Sequence, residues 1–131
     1  MPEAKLSEKK KFSLIARLRS TTHAWRGLVI FIKTTHNSWV HLFFAALAIF
    51  LGFLLNISNI EWVLVVFAIG LVIVTEALNT AFEFDIDLTS PTFHPYARDT
   101  KDIAAGAVLL SVITAGVIGL IIFLPKIIIF L

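Results

Sequence analysis

The chain has 131 residues, of which 58% are hydrophobic and only 15% charged, and its mean hydropathy is +0.91. A soluble domain of this size has too few polar groups to cover so much apolar surface, so the composition points to a membrane protein. It has no cysteine, which excludes a disulfide framework and a thiolate metal site. The formal net charge is +2, yet eight of the eleven Lys and Arg precede residue 34: Lys5, Lys9, Lys10, Lys11, Arg17, Arg19, Arg26 and Lys33. Beside apolar spans, such a block is better explained by membrane topology and anionic lipid than by nucleic acid.

Residues 1–11 read as a basic tail and 12–131 as one membrane domain. The start of the chain lacks the features of a signal peptide, because no apolar core closely follows Lys9–Lys11 and no small-residue cleavage site appears. Residues 12–33 form an amphipathic pattern. Phe12, Ile15, Leu18, Trp25, Leu28 and Val29 fall on one side, and Arg17, Arg19, Arg26 and Lys33 lie largely elsewhere, as in a helix resting in a membrane surface. Thr34, Thr35, His36 and Asn37 interrupt the pattern.

A first span is expected over about 39–56, followed by a tight turn at Asn56-Ile57-Ser58-Asn59. The second begins near Ile60, runs to about Thr80 and continues as helix to Asp87. Leu88–Thr100, with Pro91 and Pro95, reads as a loop. A third span is expected from Asp102 to Leu124, ending before Pro125, with Ile127–Leu131 as an apolar tail. The fold class is therefore all-α: one surface helix and three transmembrane helices. Lys and Arg flank the N-terminus and the 85–101 loop, and the 56–61 turn has none, which puts the N-terminus and that loop in the cytoplasm. Lys126 slightly opposes this assignment, and Glu61 reads as a solvated acid on the outer side.

The stretch Glu76-Ala77-Leu78-Asn79-Thr80-Ala81-Phe82-Glu83-Phe84-Asp85-Ile86-Asp87 carries the chemistry. With Glu76 at zero and about 100° per residue, Asn79 falls at about −60°, Glu83 at about −20° and Asp87 at about +20°. All four share one helix face, and Asp85 points away. A carboxylate at the bilayer centre costs roughly 3 kcal/mol on insertion scales, so such a stripe faces a bundle interior or a polar cavity. Carboxylates hold phosphate through Mg²⁺, a second carboxylate can accept a hydroxyl proton, and Lys101 could neutralise phosphate charge. Phosphoryl transfer to a lipid hydroxyl and a proton or cation pathway both fit this spacing. No P-loop or soluble-kinase motif is present, and the glycines are scattered. The four histidines, at 23, 36, 41 and 94, lack paired metal-ligand spacing on one clear face apart from the loose pair 36/41, and hydrogen bonding at an interface is the better reading of them.

The pattern E-A-L-N-T-A-x-E-x(3)-D at 76–87, then His94-Pro95 and Lys101-Asp102-Ile103-Ala104-Ala105-Gly106-Ala107, resembles the prokaryotic diacylglycerol kinase family. The resemblance extends over about 12–124 and includes His23-Ala24-Trp25-Arg26-Gly27-Leu28. The H-P-Y-A and K-D-I-A-A-G-A forms look more like its undecaprenol kinase branch. The resemblance implies a homotrimer in the bacterial cytoplasmic membrane, with MgATP-dependent active sites between subunits at the cytoplasmic interface. It implies Glu76 as general base, Glu83 as Mg²⁺ and nucleotide ligand, and Asn79 and Asp87 as supporting residues. Lys101, Asp102, Thr92, Phe93 and His94 match nucleotide contacts. His23 falls where the family has an aromatic residue near the nucleotide, and Arg17 lies near a basic phosphate-contacting position. One departure stands out: where the family has a second metal-binding Glu, this chain has Thr35. Compensation by His36 or Asn37, a weaker metal site resting on Glu83, and a weakly active or non-catalytic scaffold are the three readings of that change.

Overall fold

The computed structural model describes residues 13–131 as four helices: α1 (Leu14–Thr34), α2 (Ser38–Leu54), α3 (Asn59–Thr89) and α4 (Pro95–Phe130). The basic tail and Phe12 lie outside the described residues. The protein is an all-helical membrane protein, and each helix boundary has a local cause.

The α1 helix starts at an N-cap, where the Ser13 hydroxyl accepts from the Ala16 amide at 3.4 Å. It stops at Thr35, which turns extended. The Ser38 hydroxyl then donates to the Thr35 carbonyl at 2.7 Å, and Ser38 is only 1% exposed. This polar elbow turns the chain through 102° between α1 and α2. With α2 along the membrane normal, α1 lies close to the membrane plane, as its amphipathic pattern requires. Ile15, Leu18, Trp25 and Leu28 are exposed, and Phe31 is the one buried residue of α1.

The α2 helix ends in a left-handed turn. Asn56 has φ 49°, a conformation that Asn tolerates better than most residues. Ser58 and Glu61 then form a reciprocal capping box for α3. The Glu61 amide donates to the Ser58 hydroxyl at 3.3 Å, and the Ser58 amide donates to the Glu61 carboxylate at 2.7 Å. Glu61 is thus no merely solvated acid, and its other oxygen meets Lys126 Nζ at 3.2 Å. That ion pair joins the start of α3 to the end of α4, so the two run antiparallel. Beside it, Ile57, Val65, Ile122 and Phe123 form the small buried core, with Leu51, Leu55, Trp62 and Ile127 packed against it.

The structure corrects two expectations, both in α4. The helix begins at Pro95 and not near Asp102, so the loop is much shorter than 88–100. Pro95 occupies the first turn, where a missing N–H costs nothing, and His94 Nδ1 caps the helix by accepting from the Tyr96 amide at 3.2 Å. At the other end the helix continues through Pro125 to Phe130. Proline removes one hydrogen bond there, but the Glu61–Lys126 pair and the packing of Ile127 on the core hold the last turns in place.

The α3 and α4 helices are each long and apolar enough to cross a membrane, while α1 and α2 reach that standard only as a bent pair. The 17 residues of α2 lie at the short end of the ~17–25 that span a bilayer. Most large apolar side chains of α2, α3 and α4 are exposed, including Phe43, Phe50, Phe67 and Leu109, a surface suited to lipid or to other helices.

Of the six glycines, Gly52 alone is closely packed: a methyl added there would lie 2.7 Å from the Trp62 ring. Gly52→Ala is therefore expected to lower stability by about 1–3 kcal/mol. Gly27→Ala, with no atom within 4 Å of the new methyl, should leave stability unchanged or raise it. Thermal melts of the detergent-solubilised variants compare the two.

Candidate active site

Glu76 lies on the face of α3 that meets its neighbours and is 3% exposed. A buried carboxylate needs polar company, because its hydration is lost. The nearest basic group is His41 of α2, whose Nε2 stands 3.7 Å from Glu76 Oε2. One turn on, Thr80 is also buried, and its hydroxyl donates to the Glu76 carbonyl at 3.0 Å. That spends the Thr80 proton, so Thr35, at 2.8 Å, is the donor of the Thr35–Thr80 hydroxyl pair. At the residue just before Glu76, Thr75 and Ser111 join α3 to α4 through their hydroxyls at 2.8 Å.

The rest of the stripe opens outward. Asn79 Nδ2 donates to Glu83 Oε1 at 3.1 Å, one turn away on the same face. Asp87 pairs with Lys101 Nζ, which bridges α3 to α4 across the short loop. The helical register expected for Glu76, Asn79, Glu83 and Asp87 is therefore seen, graded from a buried carboxylate to exposed ones.

The remaining sequence-selected residues are more dispersed. Thr92, Phe93 and His94 lie exposed on the α3–α4 connection. His94 is engaged as the α4 cap and packs on Tyr96 at 5.6 Å between ring centroids, and the Arg98 guanidinium lies 6.0 Å from the Phe93 ring centre. Asp102 is exposed at the start of the third turn of α4, and Arg17 and His23 are exposed on α1. Among the described residues, no three His, Asp or Glu side chains gather as a metal site. Thr35, where the resemblance implies a carboxylate, is tied to Thr80.

An apolar groove of about 370 Å³ runs between α2, α3 and α4. Phe44, Leu51, Val72, Val112 and Phe123 are among its walls, and His41 is its one titratable lining residue. Sequence reasoning placed His41 among interfacial histidines. Its one distinguishing signal was a polar ring at the head of the otherwise apolar stretch His41–Leu55.

A buried carboxylate at the head of an apolar groove, continued by an acidic stripe with a lysine, marks an integral membrane protein equipped for polar chemistry at the bilayer edge. Residues 22–123 match the family described as prokaryotic diacylglycerol kinase. The chain is 41% identical over 108 residues to an undecaprenol kinase of Bacillus subtilis (strain 168), covering 82% of this chain and 88% of that protein. It is 37% identical over 109 residues to a diacylglycerol kinase of Synechocystis sp., covering 82% of this chain and 62% of that one. A diacylglycerol kinase of Escherichia coli (strain K12) is 32% identical over 69 residues, 53% of this chain and 57% of that protein. The chain belongs to the prokaryotic diacylglycerol kinase family, on its undecaprenol kinase-like side, and is a membrane lipid kinase. The family resemblance read from the residues is thereby borne out.

Thr35→Val keeps the shape of the side chain and removes the hydroxyl that meets Thr80. A loss of about 1 kcal/mol is expected for one such hydrogen bond. A double-mutant cycle with Thr80→Val, read by thermal unfolding, should return most of that value as the coupling energy.

Proposed function

We propose that the protein transfers the γ-phosphate of ATP to the hydroxyl of a membrane lipid alcohol, with undecaprenol preferred over diacylglycerol. The observation that carries this reading is the position of Glu76, at the junction of the apolar groove and the outward-opening stripe. The groove suits the acceptor's hydrocarbon chain. The stripe suits a nucleotide arriving from water. The preference for undecaprenol rests on the 41% identity to a relative of that name and on the 88% of that relative's length covered.

In this mechanism Glu76 takes the proton of the lipid hydroxyl as it attacks the γ-phosphorus. Mg²⁺, entering as MgATP, would supply charge neutralisation for the phosphates. Glu83 fits it as a single carboxylate ligand, oriented by Asn79, which agrees with the habit of Mg²⁺ to take one or two carboxylates plus phosphate oxygens. Lys101 leaves Asp87 to face the transferring phosphoryl group, and Asp87 holds it near between turnovers. Arg17, His23, Thr92, Phe93, His94 and Asp102 complete the nucleotide site. Their dispersal within one chain supports a homotrimer whose sites lie between subunits. The basic N-terminal third supports a cytoplasmic N-terminus and active site in the bacterial inner membrane, with α2, α3 and α4 as the three spans.

A second reading, a kinase of reduced activity, is favoured by one observation: the Thr35 hydroxyl is engaged by Thr80 and brings no charge to the metal.

Transfer of labelled γ-phosphate from MgATP, assayed in mixed micelles with undecaprenol and diacylglycerol offered separately, tests both. Undecaprenol should be the better acceptor, and Glu76→Gln should lower turnover by roughly 10²–10⁴-fold. Thr35→Glu should raise turnover if the metal site is the weak point. A folded protein with no transfer to either lipid would overturn the kinase reading and favour a scaffold, or an ion conductor if vesicles showed flux without ATP.

A further inference from the structure

His41 is a polar exception within the apolar groove, and its role follows from two facts. Its Nε2 is enclosed and has no hydrogen-bond partner in the chain. The same nitrogen stands 3.7 Å from Glu76 Oε2, too far for a direct bond. Enclosed polar nitrogens are almost always paired, so a group seated to the side of these two atoms, with a small shift of the ring to admit it, would supply the missing partner.

One oxygen about 2.8 Å from each atom would close both bonds. A hydroxyl suits that place. It donates its proton to the Glu76 carboxylate and accepts from the Nε2–H of His41. A ketone or ether oxygen could accept from His41 but has nothing to give to Glu76. The ring also lines the groove, so a hydroxyl at the end of an apolar chain reaches the gap from the hydrocarbon side.

We propose that His41 binds the acceptor hydroxyl and orients it between Glu76 and the γ-phosphorus. This rests on the reading of Glu76 as the base. As the new O–P bond forms, the hydroxyl proton passes to Glu76. The bond from phosphorus to the bridging oxygen of ATP breaks, its electron pair leaving on ADP. His41 keeps its own proton throughout. The lone pairs of the hydroxyl oxygen are thereby divided, one held by His41 and one aimed at phosphorus.

The test uses the full chain in mixed micelles with undecaprenol and MgATP. His41→Leu fills the same space without a donor and should lower kcat/KM for the lipid by roughly 10²-fold while KM for ATP stays within about twofold. His41→Gln places an N–H at a similar reach and should recover most of that loss. Should the leucine variant fail to fold, the wild-type protein answers the question. With ¹⁵N-labelled histidine, the His41 Nε2 resonance should move clearly further on adding undecaprenol than on adding its methyl ether, which can accept from His41 but has no proton to give Glu76.

The inference is overturned if His41→Leu keeps near-normal lipid kinetics, if His41→Gln is as poor as His41→Leu, or if alcohol and ether shift the resonance alike. The underlying kinase reading stands through all three as long as the wild type phosphorylates lipid and Glu76→Gln does not. It falls separately, if the folded wild type transfers no phosphate to lipid.

Discussion

Glu76 is a carboxylate held within an apolar helix, and the bundle is arranged so that neither lipid nor bulk water surrounds it. Its 3% exposure is achieved by α3 turning this face toward its neighbours, with His41 of α2 the nearest basic group. The hydroxyls that frame it serve the same end. Thr75 and Ser111 join α3 to α4 at the adjacent residue, and Thr35 and Thr80 tie the α1–α2 elbow to α3 one turn further on. Each of these groups has its own backbone or side-chain partner, so the surroundings of Glu76 are polar and, apart from the His41 nitrogen and one oxygen of Asn79, satisfied.

The two ends of the bundle are built on opposite principles. At the start of α3, the core of Ile57, Val65, Ile122 and Phe123 and the Glu61–Lys126 pair hold the helices together without any open polar face. At the far end of α3 the stripe diverges into water, and a single ion pair, Asp87 with Lys101, spans α3 and α4. Packing is thus concentrated where no chemistry is proposed. The polar end is left with side chains that can exchange one partner for another. This division suits a lipid kinase, whose acceptor enters from hydrocarbon and whose donor enters from water.

Thr35 stands where the resemblance implies a carboxylate, and its surroundings suit the hydroxyl found there. A carboxylate at that place would sit against Thr80, next to the buried Glu76. The hydroxyl found there instead closes a hydrogen bond and adds no like charge. The position is a point of helix contact and carries no charge, and Glu83 is the acid bonded to Asn79.

The sequence by itself determined the membrane class, the helical composition and the register of the acidic stripe. Each follows from a local property: hydropathy over a window, or an angle of about 100° per residue along one helix. It also determined the family, because E-A-L-N-T-A-x-E and K-D-x-A-A-G-A are contiguous patterns. Only the tertiary structure decided what depends on contacts between distant segments. The α4 helix continues through Pro125 because Lys126 and Ile127 are held by α3 and the core. Thr35 meets Thr80, and His41 faces Glu76 across an enclosed gap. No spacing along the chain encodes those pairs. They arise where two helix faces happen to cross, and that crossing is set by the packing of the whole bundle.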